Sequence, residues 1–315
     1  MKEAIEKLKE AKSIAILPHI NEDGDAMGSC LAAANMLRSM GKEAVVYVSG
    51  EIEHRLSFLG QDYVIYNPSQ VKAHDLCLCI DCADIKRLGE RSKLLEKIGN
   101  SVNIDHHYTN TMYADANYVE GNASSAGEVI YKLFEAMGVK PDKASAAYLY
   151  AAISSDTGSF KFNSVTPHTM RIAADLLEYG IEHDTIARAL FDTATIEEVM
   201  LKADITKSIE SFGDGKVRMI FLEGGLLEKY GIDEKNSPEI VDIVRGIEGT
   251  VIAAALKKTP DEVRVNLRSN TDADVSVIAA KFGGGGHKRA AGFRVKNAEI
   301  EDVKQKLADY CIMEI

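Results

Sequence analysis

Short apolar runs recur along the first half of the chain, at residues 13–18 (SIAILP), 43–49 (EAVVYVS), 74–81 (HDLCLCID) and 101–105 (SVNID). Each reads as a β-strand, bounded by polar or turn-forming residues. Between and after them lie stretches with helical patterning: 26–40, 86–99, 124–138 and 142–154, the last apolar enough to be mostly buried. This alternation predicts a doubly wound, mostly parallel α/β sheet with helices on both faces, whose ligands bind at the carboxyl ends of the strands. Residues 168–211 read as helical with little strand signal, and HTMRIAADLLEYG ends in a glycine suited to a helix C-cap.

From FGDGKVRMIFLEG onward the pattern changes. Asp214-Gly215 marks a hairpin turn, and strands are predicted over 216–223, 250–259 and 262–270. A short helix follows at 274–282. A glycine-rich turn then leads into a further strand, and a terminal helix covers 299–315. The second half is thus a smaller α+β domain. The expected division is a first domain over 1–190, a helical linker over 191–213 and a second domain over 214–315, in keeping with two domains for 315 residues.

Composition narrows the classes. No apolar run approaches the roughly 20 residues of a membrane helix. The charged start, MKEAIEKLKEAKS, lacks the features of a signal peptide, so the cytoplasm is the expected location and no membrane partner is expected. Five cysteines, an odd number, argue against a disulfide framework. Cys77, Cys79 and Cys82 have a metal-like spacing, but the first two lie inside an apolar run and read as small buried hydrophobes. A net charge of −11 argues against a long nucleic-acid duplex as partner and leaves room for a local basic pocket that takes a small anion.

Four clusters of acidic residues and histidines stand where an α/β sheet places its ligand crevice. They are His19, Asp23 and Asp25 in PHINEDGDAMGS; Asp81 in CIDCAD; Asp105, His106 and His107 in NIDHH; and Asp156 in AISSDTGSF. Taken singly, each has an ordinary reading as a helix cap, a turn residue or a surface histidine pair. Taken together they supply oxygen and nitrogen ligands and no sulfur, which suits Mn²⁺ or Mg²⁺, and there are enough of them for a cation pair. In the second half, Gly283 to Gly286 read as a flexible or tight turn, whose glycines would let the backbone come close to a ligand and offer N–H groups to an anion beside His287 and Arg289. Arg268 and Ser269 offer a further anion contact. Ser124, Ser125 and Lys161 are weaker candidates in the first half.

The run from His19 to Ser29, then Asp81, then Asp105-His106-His107, then Asp156 resembles the four ordered motifs of the DHH phosphoesterases. The segment GGGGHKRAAGF, Gly283 to Phe293, resembles the glycine-rich signature of the DHH-associated domain. The resemblance spans nearly the whole chain. It implies a catalytic domain followed by a substrate-binding domain, with the active site in the cleft between them. By size and order it is similar to the stand-alone oligoribonuclease/pAp phosphatase group.

The roles follow from that resemblance. His19 and Asp23 would bind one Mn²⁺; Asp25, His106 and Asp156 the other; Asp81 would bridge them, with Mg²⁺ as the alternative cation. His107 would face the scissile phosphate and Asp105 would orient the histidines. Arg268, Ser269, Gly284, Gly285, Gly286, His287 and Arg289 would hold the substrate, a short nucleotide or oligoribonucleotide such as pApA or pAp. Cyclic di-AMP, pyrophosphate or polyphosphate as substrate, a long single-strand exonuclease, and a non-catalytic nucleotide sensor are the alternative readings. Monomer and homodimer both stay open. One departure is visible: Glu22 stands where the family often has proline before the first aspartate.

Overall fold

The apolar runs of the first half become β1 (Ser13–Leu17), β2 (Glu43–Val48), β3 (Val64–Ile65), β4 (Leu76–Ile80), β5 (Ser101–Asp105) and β6 (Ala116–Val119). In the computed structural model, which describes residues 1–234 and 237–315, these six strands are all parallel, in the order β3-β2-β1-β4-β5-β6. The helices of this unit are α1 (Lys2–Glu10), α2 (Gly24–Ser39), α3 (Ser92–Ile98), α4 (Ala126–Ala136), α5 (Lys143–Asp156), α6 (Pro167–Leu177) and α7 (His183–Ala187). The chain winds outward from β1 to β3 and then places β4 on the other side of β1. The order therefore reverses between β1 and β4, where a doubly wound sheet opens its crevice.

Alternate strand residues serve opposite faces. Ile14, Ile16, Leu76, Leu78 and Ile80 pack with α1, α2, α4 and α5 in one core. Ala15, Leu17, Cys77 and Cys79 pack with Leu94 and Leu95 of α3 in the other. All five cysteines are buried and free, so the thiols act as small hydrophobes. Glycines decide how closely α5 approaches. A Cβ on Gly28 would lie 2.5 Å from the Tyr148 carbonyl oxygen, one on Gly24 2.4 Å from Ser155 Oγ, and one on Gly127 2.7 Å from Ala152 Cβ. Without side chains at these points α5 nests against α2 and α4, which brings its last residue, Asp156, beside the start of α2.

The chain divides into two compact units, Met1–Thr193 and Ala194–Ile315. In the second, α8 (Ile196–Thr206) leads into β7 (Glu210–Phe212), β8 (Val217–Leu222), α9 (Leu226–Lys229), α10 (Val241–Arg245), β9 (Ile252–Lys258), β10 (Glu262–Ser269), α11 (Val275–Lys281), β11 (Gly285–His287), β12 (Ala290–Lys296) and α12 (Ile300–Met313). The sheet order is β11-β12-β10-β9-β8-β7, antiparallel except for β8 with β9. The stretch read as a helical connection differs in two ways. Its helix α8 buries Leu201 and Ile205 against Ile220, Leu222, Ala253 and Ala255, so it is an integral layer of the second unit. It also contains β7, three residues long and largely exposed, too short to carry a periodic signal. The glycine run, read as a turn, includes the edge strand β11.

Candidate active site

Every acidic or histidine candidate of the first half is drawn to the carboxyl ends of β1, β4 and β5. His19 follows β1, Asp81 follows β4, Asp105 ends β5, and Asp25 lies in the first turn of α2. Asp81 is the centre. Its Oδ2 lies 3.4 Å from His19 Nε2, and its Oδ1 lies 3.5 Å from His106 Nε2 and 3.6 Å from His107 Nδ1. His19 Nε2 is also 3.5 Å from Asp23 Oδ2. His106 Nε2 is 3.8 Å from Asp25 Oδ2 and 3.6 Å from Asp156 Oδ2. Three groupings capable of holding a cation result: His19, Asp23 and Asp81; Asp25, His106 and Asp156; and Asp81, His106 and His107, which joins the other two.

The fit to divalent cations rests on Asp81. Its side chain is buried and its Oδ1 meets no hydrogen-bond donor, an expensive condition for a carboxylate unless a cation completes it. Its backbone is left-handed, φ +57°, a conformation that aspartate adopts more readily than most side chains. The donor set of imidazole nitrogens and carboxylates suits a divalent ion that accepts both.

Several of the candidate ligands are held from behind. His19 Nδ1 donates to the Ile20 carbonyl at 2.8 Å, which leaves Nε2 for the centre. Asp23 caps α2, accepting from Ala26 N at 2.9 Å. Asp25 accepts from Ser29 Oγ at 3.0 Å and from the first N–H groups of α4, Ala126 at 2.7 Å and Gly127 at 3.0 Å. Asp105 accepts from His107 Nδ1 at 2.8 Å and from Asn110 Nδ2 at 2.6 Å, so His107 turns its Nε2 away from the buried carboxylate. Sequence reasoning missed Asn110. No periodicity marks it, and only its contact with Asp105 and Asn103 reveals it.

The electrostatics are those of a site with a deficit of positive charge. Burial alone would lower His19 and His106, but the facing carboxylates of Asp23 and Asp81 on the former, and of Asp81, Asp25 and Asp156 on the latter, push both up to about 10. Burial would raise Asp81, yet the positive charges of His106 and His19, 3.5 and 3.4 Å away, hold it well below the usual carboxylate range. Burial and the neighbouring Asp81 charge push Asp156 up to about 6. Protons on the two histidines stand in for cations.

A pH dependence follows. Both histidines are raised from the ordinary 6.5, so their pairing stabilises the fold fully below that value and is lost as pH rises through about 10. In chelator, the melting temperature of the protein should fall more steeply between about pH 7 and 10 than that of a His19→Gln variant. Equal slopes would show that His19 carries no paired proton.

The second-unit candidates gather at one end of its sheet. Arg268 pairs with Ala290 across β10 and β12, and Ser269 N donates to the Arg289 carbonyl at 3.0 Å. His287 and Arg289 are exposed, and Arg289 lies 3.6 Å from Asp272. Arg268 Nη2 reaches Glu239 at 3.3 Å. Ser269 is buried and its hydroxyl is taken up by the Thr271 backbone, so it shapes the turn. The glycines differ among themselves. A Cβ on Gly284 would meet the Gly292 carbonyl oxygen at 2.3 Å, and one on Gly286, φ +143°, would meet Ala291 Cα at 2.5 Å, whereas Gly285 faces open space. Two of the three therefore serve close strand packing. Ser124 and Ser125 of the first unit are fully buried, the former donating to Glu128 and the latter capping α4, which removes them as surface contacts. Lys161 stands over the Phe191 ring.

Residues 13–153 match the DHH family, N-terminal domain, and residues 216–313 match the DHHA1 domain. This family match and the relatives named below indicate a hydrolase acting on phosphoester bonds. The chain belongs to the DHH family, with a DHHA1 domain after the catalytic one. It is 31% identical to the probable bifunctional oligoribonuclease and PAP phosphatase NrnA of Streptococcus mutans, covering 97% of each chain. It is 28% identical to the bifunctional oligoribonuclease and PAP phosphatase NrnA of Thermus thermophilus, over 94% of this chain and 88% of that one. A crystal structure of an exopolyphosphatase-related protein from Bacteroides fragilis superposes with a TM-score of 0.90 at 25% identity, over 99% and 98% of the two chains. Among the described residues no helix is long and apolar enough to cross a membrane.

Proposed function

We propose that this chain is a Mn²⁺-dependent phosphoesterase of short nucleotides: oligoribonucleotides of a few residues, pApA and pAp. The observation that carries the proposal is the placement of Asp81, whose two oxygens face two separate groupings of histidine and carboxylate. His19 and Asp23 would hold one cation, Asp25, His106 and Asp156 the other, and Asp81 both. Bound there, the cations would supply the charge that activates water and neutralises the phosphoryl oxygens.

The chain's own residues do the rest. Asp105 fixes the tautomer and tilt of His107, whose side chain is about one-third exposed (35%) and so can meet the phosphate. Asn110 fixes Asp105 in turn. Arg268, His287 and Arg289 are proposed to hold the far end of the nucleotide, and Gly285 to let it approach the backbone. The names of the similar NrnA proteins support oligoribonucleotide and pAp as substrates. We place the enzyme in the cytoplasm.

The test is a panel of a short oligoribonucleotide, pAp, pApA, cyclic di-AMP and pyrophosphate assayed with Mn²⁺. Turnover of the first three above the others is expected; preference for pyrophosphate would overturn the nucleotide reading. The second unit gives a further expectation. Arg289→Ala and His287→Ala should raise KM for a dinucleotide and lower kcat somewhat, because binding energy remote from the reacting bond also aligns it. The same variants should hydrolyse bis-p-nitrophenyl phosphate nearly as wild type does. Wild-type kinetics on both substrates would remove these residues from substrate binding.

A further inference from the structure

The loop that carries His19 and Asp23 is tied down at two points between those residues. Ile20 N donates to the Arg87 carbonyl at 2.7 Å. Glu22 turns inward and is buried, accepting from Ser49 N at 2.5 Å, from Ser49 Oγ at 2.9 Å and from Arg91 Nη1 at 3.1 Å. Arg91 is itself 1% exposed. Its Nη1 also donates to the Tyr47 carbonyl at 2.8 Å, and its Nε to the Leu88 carbonyl at 3.2 Å. Among the described residues Glu22 is the one carboxylate within ion-pair distance of this guanidinium. The segment that ends in Arg91 also presses on the loop: a Cβ on Gly89 would lie 3.0 Å from Ile20 Cγ2. Asn21, between the two ties, is left-handed at φ +58°.

A glutamate sandwiched between two candidate ligands, yet aimed away from the centre, calls for a reason. Surface pairs of this kind contribute little, but a buried pair whose partner is removed leaves an uncompensated charge in the interior, so its geometry is strongly held. We propose that Glu22 and Arg91 are a positioning pair, fixing the β1–α2 loop against the end of β2 and the start of α3 so that His19 Nε2 and Asp23 Oδ2 stand ready for a cation. The pair touches neither substrate nor cation. It acts through the loop backbone and gives this chain the rigidity at position 22 that a proline would otherwise provide.

The inference rests on the reading of His19, Asp23 and Asp81 as a cation site, and the test separates the two. Metal-free wild type, Glu22→Gln, Arg91→Lys and the double variant Glu22→Gln/Arg91→Met are titrated with Mn²⁺, free ion being read by electron paramagnetic resonance, with melting temperatures measured alongside. Glu22→Gln keeps the shape and loses the charge. It should bind one of the two ions about tenfold more weakly or worse while the other is unaffected, and lower kcat with KM within about twofold. Arg91→Lys keeps the charge and should recover most of the affinity. If Glu22→Gln fails to fold, the double variant, which buries no lone charge, carries the test and should show the same single-site loss. Binding of both ions at wild-type strength in Glu22→Gln or the double variant, with only the melting temperature changed, would overturn the positioning role alone. A wild type that takes up no Mn²⁺ would overturn the cation reading and this inference with it.

Discussion

Replacement of Asp81 by alanine is expected to lower turnover by about a thousandfold or more, equivalent to about 4 kcal/mol of barrier, while the protein still folds. The side chain is buried but contributes no apolar packing, and its Oδ1 has no hydrogen-bond partner. Removing it leaves the apolar core intact, so the protein should still fold, with some loss of stability in chelator because His19 and His106 lose a shared partner. It removes, however, the one carboxylate among the described residues that faces both His19 and His106. Asp84, three residues on, provides the control. It caps the 3-10 segment Ile85–Arg91, accepting from Lys86 N at 2.8 Å, and points to no candidate ligand. Asp84→Ala should stay close to wild type in rate. Rates for the two variants that fall together would show that Asp81 acts only as a structural residue.

Chelation should have an effect of the same order. Asp23, Asp25, Asp81 and Asp156 converge with His19 and His106, and without cations the cluster relies on protons, those of the two histidines and, through burial beside Asp81, that of Asp25. Such a centre has groups that bind and orient but nothing to acidify water at neutral pH. Hydrolysis should be abolished in excess chelator and restored by Mn²⁺ better than by Mg²⁺, because two imidazoles favour the softer ion. Since a cation must displace the histidine protons, uptake should release protons and weaken as pH falls. Full activity in excess chelator would remove the metal from the chemistry.

Much of this was legible in the chain. Parallel strands buried on both faces read as continuous apolar runs, so β1, β4 and β5 stand out, and the polar residues directly after each are where such a sheet presents ligands. The short edge strands β3 and β6 carry too few residues for a pattern. What lies behind the ligands is less visible, because it depends on contacts between distant segments. Arg91 meets Glu22 across 69 positions and Gly127 meets Asp25 across 102, and no local spacing announces either. Ser125 is a different case. With Glu128 three residues later it has the form of a helix N-terminus, and that signal favours a capping role over a surface contact. The glycine run was ambiguous in principle. Glycine permits both a ligand and a neighbouring strand to come close, and here Gly284 and Gly286 are committed to the strand.

The central claim is a cation pair bridged by Asp81. The most direct measurement is the number and coupling of Mn²⁺ ions bound per chain, by elemental analysis and electron paramagnetic resonance, in wild type and in Asp81→Asn. Wild type should hold two ions with the broadened spectrum of a magnetically coupled pair, and Asp81→Asn should lose the coupling together with hydrolysis. A single isolated ion in wild type, or an undisturbed coupled pair in Asp81→Asn, would contradict the account.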